Sequence, residues 1–259
     1  YNCARCCPTR ASLLTGLYPH EAGVGGMVET DAGGPGTISP YQGYLNDSCV
    51  TIAEVLREAG YNTLMSGKWH AGENRPNWPL DRGFDRYWGL ISGAANYFDI
   101  RKAKRPDVRR IMADQNDTFV PEPDGFYMTD AITDKACEMV DAYAGQAAPF
   151  MLYLSYTAPH FPLHALEEDI ERYQGRYSKG WEGLRHERWG RIQEMGLFPD
   201  NTRLSPLDAV PWNEADDQAL QARKMAVYAA QVDRMDQGIG RVLDHLESNG
   251  VLDNTLILF

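Results

Sequence analysis

Apolar residues recur at intervals of three and four positions in two long segments, and this spacing predicts amphipathic helices over 129–143 and 217–248. Three other apolar runs, over 61–66, 150–156 and 255–259, predict strands. The run over 150–156 is nearly continuous, as expected for a strand in the middle of a parallel sheet whose two faces are both covered. Helix and strand patterns therefore alternate along the chain.

This alternation predicts an α/β fold with a mainly parallel central sheet and helices on both of its faces. A further short helix is expected after Thr51, because Thr51 and Glu54 can form a capping box, with Ile52 and Val55 on its apolar face. The segments 17–47 and 71–128 are predicted to be mostly irregular loop, including a basic run from Arg101 to Arg110 that we interpret as solvated. We expect residues 1–259 to form one domain that is incomplete at both termini.

A turn that leads into a helix precedes these elements, over residues 6–16. Pro8 is suited to the first helical position, where its missing N–H costs nothing, and Gly16 is suited to ending the helix. The side chain of Cys6 is then expected beside unpaired backbone N–H groups. Such a position attracts anions and lowers the pKa of a thiol. Arg10 is expected about one turn away, within reach of the same group.

Polar side chains follow two of the predicted strands. Lys68 and His70 come after the first strand, and His160 and His164 follow the second. Because the carboxyl ends of parallel strands meet at one edge of a sheet, we expect these groups to converge with Cys6. A cation, imidazoles and a helix N-terminus together indicate an oxyanion site. His164 has the weakest case for belonging to it.

Composition narrows the classes of function. The net charge of −11 over 259 residues argues against a general nucleic-acid-binding protein, and no apolar run approaches the ~20 residues of a membrane span. The five cysteines are too few and too scattered for a disulfide framework. Cys3 and Cys6 form a C-x-x-C pair, which leaves a redox or metal-binding role open, although no second cysteine pair completes a zinc site.

Residues 6–16, with the pattern Cys-x-Pro-Thr-Arg-x-x-x-Leu-Thr-Gly, resemble the active-site motif of the type I sulfatases, which belong to the alkaline-phosphatase-like superfamily. The run Gly67-Lys68-Trp69-His70 and the run Pro159-His160-Phe161-Pro162 resemble two further motifs of the same family. The resemblance covers nearly the whole chain and implies an arylsulfatase-like sulfuric ester hydrolase. In this family the motif cysteine, here Cys6, is oxidised to formylglycine by a maturation enzyme.

The resemblance also implies a role for each motif residue. As formylglycine hydrate, Cys6 would be the nucleophile, and Arg10 would hold that hydrate. Lys68 and His160 would bind the sulfate group and the leaving-group oxygen. His70 would position or deprotonate the second hydroxyl of the hydrate, as a general base.

The family binds a divalent cation, usually calcium. Only Cys6, as formylglycine, corresponds to one of its ligands here, so we expect the remaining ligands outside this chain and the fragment alone to be inactive. The expected partners are a sulfated small molecule or glycan and the maturation enzyme. Many relatives are exported, which favours the periplasm or the outside of the cell.

Two alternatives remain within this resemblance. A phosphonate or phosphate monoester hydrolase of the same superfamily can carry the Cys6 motif. A relative that binds sulfated glycans without catalysis would also keep much of the site, although the intact Cys6 motif counts against it. The walls of the pocket are expected from the segments 17–47 and 71–128, whose side chains do not identify the substrate.

Overall fold

The computed structural model describes residues 3–28, 39–102 and 110–259. Within these ranges the helices are α1 (Cys6–Thr15), α2 (Ile52–Glu58), α3 (Met128–Tyr143), α4 (Glu167–Glu171), α5 (Gly180–Glu194) and α6 (Gln218–Ser248). The strands are β1 (Asn62–Gly67), β2 (Arg86–Leu90), β3 (Met112–Asp114), β4 (Asp117–Phe119) and β5 (Phe150–Ser155). Both long predicted helices and the first two predicted strands are therefore present at nearly the predicted positions.

The strands form one mixed sheet in the order β4-β3-β2-β1-β5. Strand β1 pairs in parallel with β2 and β5, whereas β2–β3 and β3–β4 are antiparallel. The α/β prediction is confirmed, but the prediction of irregular loop over 71–128 is wrong for β2, β3 and β4. Strands β3 and β4 have three residues each, too short to show alternation, and their turn uses Gln115 at φ 55° instead of the Asn-Gly pair typical of such hairpins.

Strand β5 lies at an edge of the sheet and not in its middle, which corrects the interpretation of its continuous apolar run. Its alternate side chains are nevertheless covered on both faces. Met151 and Tyr153 pack against the cluster that contains α1, whereas Phe150, Leu152 and Leu154 pack against α3 and α6. Coverage by helices on both faces, and not a central position, explains the lack of polar alternation.

Helices flank both faces of the sheet. On one face, Cys7, Ala11 and Leu14 of α1 join the core with Met65 and Tyr87 of the sheet. On the other face, the apolar sides of α3 and of the C-terminal part of α6 meet β5 through a second cluster. Helix α1 is therefore anchored by its buried side, and its first residue, Cys6, remains half-buried.

The chain divides into two compact units, residues 1–162 with 235–259, and residues 163–234. The second unit holds α4, α5 and the first part of α6 around Ile170, Ala226 and Ala230. Ion pairs join α4 and α6 within it, for example Arg223 to Glu167 at 2.8 Å. The expectation of one domain over the chain stays a prediction.

Two predictions about exposed surfaces are wrong. Helix α2 forms and carries the predicted capping box, but Ile52 and Val55 are 47% and 53% exposed, and Ala53 is the buried residue. No strand forms over 255–259, where Leu256 is 83% exposed and the chain pairs with no neighbour among the described residues. An apolar run becomes a strand only when another strand accepts its hydrogen bonds.

In the described ranges, no helix has the length and apolar character to cross a membrane.

Candidate active site

Helix α1 presents Cys6 as its first residue, two positions earlier than predicted. Pro8 is therefore the third helical residue, still within the turn whose N–H groups lack helical partners. The helix ends as predicted at Gly16, which takes the left-handed conformation at φ 73°. The Cys6 thiol consequently lies at the N-terminal end of α1, which carries a partial positive charge. The buried side of the same helix is packed into the core.

The segment that follows β1 places Lys68 and His70 between two neighbouring strand ends. The backbone N–H of Lys68 donates to the carbonyl oxygen of Ser155 at 2.7 Å, and that of His70 donates to Ile91 at 3.0 Å. Gly67 is required at this point, because at φ 119° a Cβ would lie 2.0 Å from the Ser155 oxygen. These bonds keep Lys68 and His70 almost fully buried, at 2% and 1% exposed.

Arg10 connects the helix to these strand ends. Its Nη1 donates to the carbonyl oxygen of Lys68 at 2.6 Å and to the Ser155 hydroxyl, which in turn donates to the same Lys68 oxygen at 2.9 Å. Tyr153 lies 3.5 Å from Nη1. The hydrogen bonds of Nη1 thus go to the scaffold, and the proposed contact with a hydrate must use the other guanidinium donors.

Cys7 is completely buried beneath Cys6 and faces His70. Its sulfur lies 3.4 Å from both ring nitrogens of His70 and 3.8 Å from the sulfur of Met27. The ligand atoms of Cys6, Cys7 and His70 all lie within 4.8 Å of one another. The sequence shows Cys7 next to Cys6, at an unspecified position of the motif, but sequence reasoning assigned it no role in the site.

Gly93 packs against the ring of His70. A Cβ at this position would lie 2.4 Å from Nε2 and 2.3 Å from Cε1. His70 itself adopts a left-handed backbone at φ 52°, which is uncommon for a residue with a side chain. The ring is therefore held by its backbone, by Cys7 and by the absence of a side chain at Gly93.

His160 is exposed, and the ring orientation follows from one hydrogen bond. Its Nδ1 lies 2.7 Å from the carbonyl oxygen of Phe161, and since a carbonyl can only accept, Nδ1 carries the proton. Tyr97 donates to the backbone oxygen of His160 at 3.0 Å and fixes the loop. In the neutral ring, Nε2 is left with the lone pair.

The electrostatics of the site favour an anion at Cys6. Hydrogen bonds from Cys7, His160 and His70, in this order of size, hold the pKa of the Cys6 thiol far below its usual value, and the Lys68 charge adds to this effect against the cost of burial. The hydrogen bond to Cys6 and then burial raise the pKa of the Cys7 thiol far above its usual value. For this coupled pair, the negative charge belongs to Cys6.

The two groups after β1 are shifted towards their neutral forms. Burial, followed by the charge of Arg10, lowers the pKa of Lys68 to about 8. Burial also lowers the pKa of His70, so the ring is largely neutral near pH 7. Lys68 thus remains a cation near neutrality, whereas His70 is able to accept a proton.

The structure brings together Cys6, Lys68, His70 and His160, with Arg10 behind them. His164 belongs to the second unit, where burial lowers its pKa.

The basic run predicted over Arg101 to Arg110 falls largely outside the described residues, but Arg101 pairs with Asp99 at 2.8 Å. Residues 29–38 of the predicted loop 17–47 also lie outside the described ranges. None of the five cysteines forms a disulfide, which gives no support to a disulfide at the C-x-x-C pair.

The donor atoms of the site do not fit calcium. Calcium takes six to eight oxygen ligands. Among the described residues, the group of side chains that could hold a metal consists of two sulfurs and an imidazole, from Cys6, Cys7 and His70. These are ligands for softer ions.

Comparison with known proteins decides the family. The Sulfatase family model matches residues 1–259. The chain belongs to the sulfatase family. It is 36% identical to an uncharacterized sulfatase of Schizosaccharomyces pombe and 34% identical to an arylsulfatase of Klebsiella aerogenes, each over 100% of this chain. It spans 49% and 56% of these two relatives, about half of their length.

Solved structures place this sulfatase chain in the alkaline-phosphatase-like fold. The structure of Ps i-CgsB in complex with k-i-k-neocarrahexaose aligns with a TM-score of 0.67 and 25% identity, over 96% of this chain and 46% of that one. A phosphonate monoester hydrolase from Silicibacter pomeroyi aligns with a TM-score of 0.51 and 22% identity, over 98% and 52%. The latter likeness shows a shared fold alone. The family generally uses a formylglycine and a divalent cation.

Proposed function

We propose that this sulfatase chain carries the nucleophile and anion-binding groups of a sulfuric ester hydrolase. The observation that carries the proposal is the convergence of Cys6, at the start of α1, with Lys68, His70 and His160 at strand ends. A helix N-terminus and a buried cation favour the charge that develops on sulfuryl oxygens. Family membership supports the same reaction.

The thiol of Cys6 stands in for a formylglycine in this proposal. A maturation enzyme with a two-electron oxidant would convert the Cβ of Cys6 to the aldehyde, with release of the sulfur as sulfide, and water would add to give a geminal diol. One hydroxyl of the diol attacks sulfur, and the S–O bond to the alcohol breaks. The second hydroxyl then loses its proton, the carbonyl re-forms and sulfate leaves. Covalent catalysis of this kind divides one difficult step into two easier ones.

The side chains around Cys6 are matched to these steps. Lys68, a cation near neutral pH, holds a sulfuryl oxygen. His160 presents Nε2, which in the protonated ring donates to the leaving alkoxide, while Nδ1 stays on Phe161. His70 is neutral because of burial and accepts the proton of the second hydroxyl. Arg10 aligns the helix with the strand ends and offers its remaining donors to the diol.

The substrate that we propose is a sulfated glycan or a sulfated small molecule. Among the structural neighbours, Ps i-CgsB was solved with k-i-k-neocarrahexaose, and another was solved with D-glucosamine-2-N,6-O-disulfate. These ligands support the class of substrate and no narrower choice. Calcium is the cation implied by the family resemblance, and the converted Cys6 would offer it one oxygen. We also propose the periplasm or the outside of the cell as the place of action.

A comparison of substrates tests the reaction. The full-length protein, produced with a maturation enzyme, is assayed on an aryl sulfate, an aryl phosphate and an aryl phosphonate monoester. Faster turnover of the sulfate supports the proposal, whereas faster turnover of the phosphonate would favour the alternative hydrolase. A protein that binds sulfated glycans but hydrolyses none of the three would favour the non-catalytic alternative.

Mass spectrometry tests the nucleophile separately. Trypsin can release residues 6–10, because arginine is present at positions 5 and 10. We expect an aldehyde in place of the Cys6 thiol, with Cys7 unchanged. Cys6→Ser should abolish turnover, while Cys137→Ser, a buried cysteine of α3, should keep it. An unmodified Cys6 thiol in fully active protein would refute the assigned nucleophile.

A further inference from the structure

Cys7 has no task in the proposed reaction, although it lies at the centre of the site. It is completely buried, its sulfur lies 3.4 Å from the ring of His70, and it shares a hydrogen bond with Cys6. Buried cysteines usually pack as small apolar groups. Here, however, two sulfurs and an imidazole have their ligand atoms within 4.8 Å of one another.

The distance between Cys7 and His70 within this group is close to that between two ligands of one zinc ion. Zinc binds thiolate sulfur at about 2.3 Å and imidazole nitrogen at about 2.0–2.1 Å in a tetrahedral arrangement. Two such ligands of one ion are therefore separated by roughly 3.5–3.8 Å. The separation of 3.4 Å between the Cys7 sulfur and the His70 nitrogens is close to this value. The group brings together adjacent residues on α1 and a ring that the β1 strand end already holds in place.

We propose that the thiol form of this protein, before conversion of Cys6, binds one soft divalent cation such as Zn²⁺ through Cys6, Cys7 and His70. Binding displaces the one remaining thiol proton, that of Cys7, to solvent and forms two metal–sulfur bonds and one metal–nitrogen bond, with no change of oxidation state. The ring of His160 lies beside this group, since it also hydrogen-bonds the Cys6 side chain. Conversion of Cys6 replaces a sulfur ligand by oxygen and dismantles this site.

Neighbouring charges limit the affinity. The ammonium of Lys68 acts on both cysteines and the guanidinium of Arg10 acts on His70, and both repel a cation. The Glu73 carboxylate, 3.8 Å from Nε2 of His70, offsets part of this repulsion. The site is therefore weaker than a closed structural zinc site with four protein ligands, and it releases its ion when Cys6 is converted. The bound ion covers both sulfurs while it stays.

Cobalt absorption measures the site directly. The full-length protein is produced without a maturation enzyme, reduced, and checked by mass spectrometry for the Cys6 thiol. Titration with Co²⁺ should give a sulfur-to-metal charge-transfer band that saturates at one ion per chain and disappears when Zn²⁺ is added. Cys7→Ser, which keeps the shape of the side chain, should lower the band by half and weaken Co²⁺ binding by at least about 10-fold, since loss of a ligand should cost no less than loss of a residue that only supports one.

A matched control and a second measurement make the result decisive. Cys137→Ser removes a buried cysteine outside the group and should bind Co²⁺ like the parent. In the unsubstituted protein, Zn²⁺ should protect the half-buried Cys6 from alkylation but leave Cys3 reactive. The proposal is overturned if Cys7→Ser and His70→Gln bind Co²⁺ as Cys137→Ser does, if conversion of Cys6 leaves the charge-transfer band and the Co²⁺ affinity undiminished, or if Zn²⁺ gives no protection. None of these measurements depends on sulfate hydrolysis.

Discussion

Arg10 of α1 donates a hydrogen bond of 2.6 Å to the backbone oxygen of Lys68, although the two residues are separated by 58 positions in the chain. The bond joins the helix that presents Cys6 to the strand end that presents Lys68. The Ser155 hydroxyl accepts from the same guanidinium and donates to the same oxygen. One arginine therefore links the position of Cys6, the proposed nucleophile, to that of Lys68.

Replacement of Arg10 by Lys should show whether the hydrogen-bond geometry of the guanidinium matters as well as its positive charge. A lysine keeps the positive charge but cannot reproduce the guanidinium fork. We expect kcat/KM for an aryl sulfate to fall by at least about 100-fold, since small displacements of reacting groups have effects of this size. The free energy of unfolding, measured in urea, should fall by about 2 kcal/mol, because hydrogen bonds to a charged group are lost. The exposed Arg57→Lys on α2 is the matched control, and equal effects of both changes would contradict this role.

Gly93→Ala should disturb His70 without touching its chemistry. The added methyl group would lie 2.4 Å from Nε2, so the ring must move. Overpacking of this kind costs about 1–3 kcal/mol of stability, and turnover should fall more than substrate binding because the displaced ring is a proton acceptor. Gly145→Ala, where nothing lies within 4 Å of the added group, is the control. Normal kcat in a folded Gly93→Ala protein would show that the position of the His70 ring is unimportant.

Lys68 should set the alkaline limit of activity. Its pKa is lowered to about 8, so the ammonium is present below this pH and is lost as the pH rises through it. Sulfate binding needs the charged form, and kcat/KM should therefore fall about tenfold per pH unit above the limit. Conversion of Cys6 removes a negative charge that raises this pKa, so in the mature protein the limit lies at pH 8 or below.

The matched variant for this prediction is Lys68→Arg, because arginine does not lose its charge in this range. We expect lower activity but no alkaline fall between pH 7 and about 10. If kcat/KM of Lys68→Arg falls at alkaline pH as it does in the parent, another group causes the fall.

His160→Gln should harm poor leaving groups most. A general acid contributes about 10²–10⁴-fold when the departing alkoxide is basic, and little when it is already stable. The rate should therefore depend more steeply on the pKa of the leaving phenol in the variant than in the parent. His186→Gln is the control, since His186 is also exposed and also has Nδ1 on a carbonyl oxygen, that of Glu182 at 2.8 Å. If plots of log rate against the pKa of the leaving phenol have the same slope for His160→Gln and the parent, His160 is not the general acid.

Local signals explain what could be predicted. Helices α3 and α6 and strands β1 and β5 have long or strongly apolar patterns, and the capping box at Thr51 and the glycine at position 16 mark helix ends within a few residues. The short β3–β4 hairpin and the exposed face of α2 were missed. Whether such a segment forms a hairpin or leaves its apolar face exposed depends on which other elements pair with it or cover it. A short stretch of sequence does not contain this information.

Spacing and turn residues act within a few positions, so the α/β class and the location of Cys6, Lys68, His70 and His160 at the ends of elements could be predicted from local patterns. The folded chain was needed to show that these ends meet, that the sheet is mixed, and that Cys7 and Gly93 lie against His70. Cys7 touches His70 across 63 positions of sequence, and Gly93 matters because it lacks a side chain next to that ring. Contacts of this kind depend on close packing between distant segments, which only the folded chain brings together.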